Sequence, residues 1–246
     1  MRALFTTKKD SSAAYFQEHG WTVFDYAADS ELKLTDSRGC RLVYFRDPFN
    51  NTDCSYDRAK IDHIISTFSD VRSIDNIRSF DDMLRVEDKL FQASLYGSLC
   101  PQTFLPSQQD FIEGNHLAKK RISQRAKDIL FELTTPINDD WIIQELLDIK
   151  EELRVYSIFG RVVEDATIKT SKQSGKVKVV GGRKITAEEK DFCSKIAELS
   201  KMDFIGIDMA ILADGGLKLI EVNRSPQFKR FVEIYGESPL NEILDA

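Results

Sequence analysis

The segment Asp203 to Asn223, DFIGIDMAILADGGLKLIEVN, constrains this chain more than any other. It sets two apolar runs on either side of Asp214-Gly215-Gly216, a turn signature that favours antiparallel pairing of the flanking strands. Counting outward from the turn places Asp208 on one strand near Glu221 and Asn223 on the other. Side chains alternate along a strand, so Glu221 and Asn223 share a face and Val222 takes the opposite one. Two carboxylates held this close repel and raise one another's pKa unless a cation lies between them. Two acids and an amide on one patch offer the oxygen ligands that Mg2+ prefers, especially where substrate phosphates complete its shell. Acids at strand ends are also common as plain solvent-facing residues, and from the hairpin alone both readings stand.

The rest of the composition narrows the class. The chain has 246 residues, enough for one large domain or two to three lobes around connected cores. Its 40 acidic side chains outweigh 34 Lys and Arg, for a formal charge of -6, which argues against non-specific nucleic-acid binding because phosphate neutralisation needs a positive surface. Cys40, Cys54, Cys100 and Cys193 show no CxxC pairing, so neither a disulfide framework nor a zinc knuckle is indicated. His19, His63 and His116 have no metal-ligand spacing. No apolar run approaches the ~18 residues of a membrane span. A cytoplasmic protein with no nucleic-acid or membrane partner is the expectation.

Along the chain, RALFTT, SSAAYFQEHG and WTVFDY read as strand, helix ending at Gly20, and strand. ELKLTDSRGCRLVYFRD resembles two strands about the turn DSRG, followed by the break DPFNNTD. Helical periodicity returns in DRAKIDHIISTF and EDKLFQASLYGSL, and Pro101 and Pro106 then bracket a short extended piece, QTFL. HLAKKRI, DILFEL, WIIQELL, ELRVYSIFG and RVVEDATIK each read as a strand. Thr186 with Glu189 three residues on marks the start of a helix over ITAEEKDFCSKIAELS. The order of elements is α+β, and VVGG at Val179 to Gly182 reads as a turn or a loop.

With GIDMAI and LIEVNRSPQF, the chain resembles the ATP-grasp superfamily of carboxylate–amine ligases, which includes glutathione synthetase, D-alanine–D-alanine ligase and the ribosomal-protein glutamate ligases. The resemblance implies an ATP-grasp fold and puts Asp208, Glu221 and Asn223 on metal-ligand positions. EDKLFQASLYGSLCPQTF resembles the helix and Pro-x-Thr strand that carry the first phosphate-binding lysine, here Lys89. HLAKKRISQRAKDILF resembles the strand of the second, here Lys119, with Lys120 the neighbouring alternative. WIIQELLDIKEELRVYSIFGRVV is similar to the adenine hinge, so Gln144, Glu145, Leu146 and Leu147 are expected along the base, with Glu152 and Arg154 on an acid-x-Arg element. Lys169 falls near a basic position that helps neutralise the triphosphate.

These matches run in the family's order from about residue 85 to 230. They imply a preceding α/β lobe at 1–84, a small central lobe at 85–145 and a C-terminal lobe with the metal site at 146–246. ATP and Mg2+, or Mn2+ in its place, are the implied cofactors. The implied activity joins a carboxylate to an amine through an acylphosphate, on small-molecule, amino-acid or peptide-like substrates. Arg154 and Lys169 are the expected catalytic cations. The resemblance turns VVGG into a loop beside the substrate, and it leaves open a homo-oligomer, since relatives form dimers and tetramers.

One departure stands out: the phosphate loop reads Ser123-Gln-Arg-Ala126-Lys-Asp128, with Ala126 and Asp128 where the family has glycines. Glycine admits positive φ and close approach to phosphate, and an aspartate there repels it. A non-catalytic ATP-binding sensor or partner protein is therefore an alternative, as is a phosphotransferase acting on another acceptor. Arg46 is open between a contact to a substrate carboxylate and a structural ion pair.

Overall fold

The computed structural model describes residues 1–7, 10–26, 39–46, 57–108, 115–122, 129–131, 138–170 and 178–246. The expected strand ELKL, the break DPFNNTD, Cys54 and the loop at 123–128 lie outside the described residues.

The N-terminal run forms a parallel sheet. Strand β1 (Arg2–Thr6) lies between β2 (Trp21–Asp25) and β3 (Leu42–Phe45). Helix α1 (Ala13–Glu18) makes the first crossover, and Gly20, at φ +79°, turns the chain into β2. These strands are covered on both faces, which is why they read as unbroken apolar runs. Ala3, Phe5, Val43 and Phe45 meet Ile61, Ile64 and Ile65 of α2 (Arg58–Thr67), together with Phe80 and Met83 of α3 (Phe80–Glu87). Leu4, Leu42 and Tyr44 point the other way, into a core shared with Tyr156, Phe204, Phe228 and Phe231 from the C-terminal part of the chain.

Helix α3 has no counterpart in the strand and helix expectations, although Ser79 and Asp82 form a reciprocal capping box at its start. Helix α4 (Lys89–Tyr96) follows at once, with the Asp88 side chain accepting from the Leu90 amide. A four-stranded antiparallel sheet comes next, in the order β4 (Thr103–Phe104), β7 (Trp141–Glu145), β5 (His116–Lys120), β6 (Ile129–Leu130). The extended piece between Pro101 and Pro106 is β4.

The C-terminal sheet holds β8 (Ile149–Ile158), β9 (Arg161–Val162), β10 (Asp165–Lys169), β11 (Val179–Lys184), β12 (Phe204–Leu212) and β13 (Leu217–Asn223). Its order is β11-β10-β8-β12-β13, with β9 paired to β8. Helix α5 (Ala187–Ser200) begins with the Thr186–Glu189 capping box and packs Phe192, Cys193 and Ile196 on Leu153, Val155, Ile205 and Ile207. Two short helices, α6 (Lys229–Tyr235) and α7 (Asn241–Leu244), close the chain. Among the described residues no helix is long and apolar enough to cross a membrane. Cys40, Cys100 and Cys193 are free thiols.

Two expectations are corrected here. VVGG is neither turn nor loop: it opens edge strand β11, whose Gly182 pairs with Thr167. A Cβ at Gly182 would fall 2.1 Å from the Tyr235 hydroxyl, so the glycine serves close packing of α6 on the sheet. RVVEDATIK is two strands, β9 and β10, because the chain turns at Val163 and Glu164, where the Val163 amide bonds the Tyr156 carbonyl.

Candidate functional site

Strand register alone brings the candidate residues together. Residues opposite one another in antiparallel strands share a face. Arg154 of β8 lies opposite Thr167 of β10 and Asp208 of β12, and Glu152 lies opposite Lys169 and Ala210. Asp208 in turn faces Glu221 of β13, and Gly206 faces Asn223. Glu152, Arg154, Lys169, Asp208, Glu221 and Asn223 therefore occupy one face, opposite the one covered by α5. A bulge makes this possible: the register shifts between Asp208 and Met209, which face Glu221 and Leu219, so that Ile220 is the extra residue. Both Leu219 and Val222 are thereby buried in the same core, while Glu221 turns to the opposite face.

Asp208 is the electrostatic centre. It is 3 % exposed, and Arg154 grips it with two hydrogen bonds, Nε to Oδ1 and Nη2 to Oδ2, each 2.7 Å. Lys169 donates to Oδ2 at 2.8 Å, and the Asn223 amide lies 3.4 Å from the same oxygen. Burial by itself would raise the Asp208 carboxyl, but the Arg154 and Lys169 charges and their hydrogen bonds outweigh it and hold the group well below the usual carboxylate range. Reciprocally, burial opposes the charge on Arg154, and Asp208 more than restores it. Lys169 also stands 2.5 Å from Glu152 Oε1 as an ion pair, although that oxygen accepts no aligned hydrogen bond. Lys89, the first helical residue of α4, reaches to 3.6 Å from Glu221 Oε1.

Beside this cluster lies a narrow cleft open to solvent, with about 50 Å³ of room for water-sized groups, below the ~300–1,000 Å³ of typical small-ligand sites. Leu117, Leu147 and Ile220 give it apolar walls, with Lys119, Gln144 and Glu152 as polar groups. Alternation along β5 separates the two candidate lysines: Lys119 is buried on the cleft side, and Lys120 is exposed. Lys119 Nζ donates to Gln144 Oε1 at 2.7 Å, and Gln144 Nε2 donates to Thr103 Oγ1 at 2.9 Å. Gln144, Glu145, Leu146 and Leu147 all line the cleft. The Glu145 and Leu146 amides are already donated to the Gln102 and Asn115 carbonyls, so those two N–H groups are not offered to a ligand.

Arg46 resolves as structural. It is fully buried against Asp10 at 2.7 Å and donates to the Pro226 carbonyl, fastening the segment after β13 onto the end of β3. Arg224 does the same from the other side, donating to the Phe45 and Arg46 carbonyls. Sequence reasoning missed Gln92, whose side chain bonds both the amide and the carbonyl of Val222, between Glu221 and Asn223. Its one signal is a spacing of three from Lys89, which puts both on one face of α4.

For a divalent ion, Asp208, Glu221 and Asn223 supply hard oxygen donors on adjacent strands whose chemistry fits magnesium, and both Asp208 oxygens, held here by Arg154 and Lys169, would have to be released to it. Among the described residues no cluster of three or more His, Cys, Asp or Glu could hold a metal, so this set has two carboxylates and depends on the amide and on phosphate to complete it.

Comparison with known proteins gives the family and the fold. Residues 110–245 match the RimK-like ATP-grasp domain family. No curated protein matches the chain by sequence. Solved structures do match in fold: the ATP-grasp ligase PsnB complexed with a minimal precursor superposes with a TM-score of 0.70 at 18% identity, over 100% of this chain and 99% of that one. The same ligase complexed with minimal precursor, Mg and ADP gives 0.67 at 18% identity, over 99% and 96%. The D-cycloserine synthetase DcsG gives 0.69 at 16% identity, over 98% and 96%. A Chryseobacterium gregarium RiPP-associated ATP-grasp ligase in complex with ADP and a leader and core peptide gives 0.66 at 14% identity, over 99% and 95%.

Proposed function

Since this chain belongs to the RimK-like ATP-grasp family, we propose that it is an ATP- and magnesium-dependent carboxylate–amine ligase acting through an acylphosphate on an amino-acid or peptide-like substrate. One observation carries the reading: two carboxylates and an amide on paired strands share a sheet face with Arg154 and Lys169, beside a cleft that Lys119 enters. A carboxylate is a poor electrophile, and phosphorylation gives it a leaving group that an amine can displace. The protein's work is then positioning and neutralisation of charge.

In this assignment the apolar cleft along Gln144–Leu147 takes the base, while Lys89 and Lys119 meet the phosphates. Asp208, Glu221 and Asn223 would hold the ion, which would supply charge neutralisation at the phosphates. Arg154 and Lys169 serve the transferring phosphoryl group, and Glu152 orients Lys169. Residues 1–84, 85–145 and 146–246 act as the preceding, central and C-terminal lobes, and the first lobe reads the acceptor. The peptides bound to PsnB and to the Chryseobacterium ligase and the small product named for DcsG support an acceptor in the amino-acid to peptide range.

ADP release measured over a panel of amino acids and short peptides as acids and amines tests the activity. Turnover with at least one pair is expected, dependent on magnesium. Silence across the panel together with tight binding of ATP would instead favour a nucleotide sensor, the reading that Ala126 and Asp128 in the loop at 123–128 motivate. That sensor would gain activity on Ala126→Gly with Asp128→Gly.

A further inference from the structure

We propose that Gln92 is a positioning residue for the metal site: its amide holds β13 at Val222 and so directs Glu221 and Asn223. The inference rests on the nucleotide reading above.

Among the described residues strand β13 ends the sheet order, with β12 as its strand neighbour. In an antiparallel pair alternate residues turn their N–H and C=O away from the neighbour. At Val222 those outward groups meet Gln92: Nε2 donates to the Val222 carbonyl at 2.8 Å, and the Val222 amide donates to Oε1 at 2.9 Å. A single side chain thus supplies the donor and acceptor that another strand would have provided. The second Nε2 hydrogen goes to the Val86 carbonyl at 2.9 Å, so both of its donors are used, and the residue is 5 % exposed.

The bulge makes this second hold necessary. With Ile220 unpaired, the β12 ladder is interrupted immediately before Glu221, and a bulged strand is free to change its local twist. Gln92 fixes the backbone one residue later. Lys89, on the same face of α4, approaches Glu221, the residue next to Val222, at 3.6 Å. Helix α4 therefore engages two successive residues of β13, one through charge and one through an amide. An apolar side chain of similar size would fill the space but would leave the direction of Glu221 unset. Outer groups that orient metal ligands are typically worth ten- to hundredfold in metal affinity.

The test uses Mn2+ as the probe, with free ion read by electron paramagnetic resonance in the presence of a non-hydrolysable ATP analogue. It is applied to the full chain, to Gln92→Met and to Gln92→Glu, the last of which keeps an acceptor for the Val222 amide. Mn2+ affinity should fall ten- to hundredfold in Gln92→Met and by less in Gln92→Glu. Binding of the analogue in EDTA, which reads the apolar cleft, should stay unchanged in both. Unaltered Mn2+ affinity in Gln92→Met, or equal weakening with and without metal, overturns the proposal while leaving the nucleotide reading in place. Failure of the unsubstituted chain to bind Mn2+ with the analogue overturns both. Should Gln92→Met not fold, Gln92→Glu decides, and unaltered Mn2+ affinity there overturns the inference.

Discussion

At the scale of single residues, the acidic pair was visible in the sequence, and the resemblance named Arg154 and Lys169 as cations of the site, but their pairing with Asp208 was not visible. A two-glycine turn fixes the counting between Asp208 and Glu221, whereas Arg154 and Lys169 reach Asp208 from strands 54 and 39 positions away, through a register no local pattern announces. The consequence is testable. Asp208→Asn removes the charge that holds two buried cations, and breaking such a cluster costs about 3–5 kcal/mol. Because the Asp208 carboxyl lies below its ordinary value of 3.8, its contribution is present above that pH and is lost as the pH falls toward the native value. Urea unfolding of the two proteins should therefore show a constant difference from pH 5 to 8, narrowing below pH 4. A difference that narrows near neutrality would mean that Asp208 is not held ionised by Arg154 and Lys169.

Elements with strong local chemistry were legible: the Asp214-Gly215-Gly216 hairpin and the Thr186–Glu189 helix start are both in place. What escaped was set by partners. Strand β11 carries two glycines and no useful alternation, and it is a strand because β10 supplies its hydrogen bonds and α6 its packing. The bulge at Ile220 escaped because a one-residue insertion leaves composition unchanged. Gly206 shows how tightly the site strands meet the following segment: a Cβ there would lie 2.7 Å from the Pro226 Cβ and 3.8 Å from the Arg154 Cδ. Neither neighbour is a flexible chain end at the closer contact, so Gly206→Ala is overpacked by about 1–3 kcal/mol. Thermal unfolding should report a fall of roughly 2–4 °C per kcal/mol in a chain of this size. An unchanged midpoint would show that the Pro226 segment yields, and that it does not brace the site.

For the whole molecule, the α+β order could be read along the chain, but the sharing of one core between its first and last thirds could not, because Leu4 and Tyr44 meet Phe204 and Phe231 only after folding. A polar clasp marks the same junction. Asp75, in a turn at φ +63°, donates its amide to Asp203 Oδ2 at 3.0 Å, while its Oδ1 accepts the Asp203 and Phe204 amides at 2.8 and 3.0 Å. Its Oδ2 is buried without a partner. Burial, with a smaller push from Asp203, raises the Asp75 carboxyl from 3.8 to about 7 against the pull of the two amides and Arg224. A raised carboxyl works against the fold as pH rises: the unfolded chain releases this proton near pH 4, the folded one only near 7, so stability falls across that window and is level above it. Asp75→Asn keeps the accepting oxygen, tolerates the left-handed backbone and carries no charge. It should match the unsubstituted protein near pH 4 and exceed it by about 1–4 kcal/mol at pH 8, from ~1.4 kcal/mol per unit. Denaturant unfolding at pH 4.5, 6 and 8 measures the gap. A gap that does not widen with pH would place the Asp75 charge in contact with solvent, and the junction between the first and last sheets would then be wetter than its hydrogen bonds indicate.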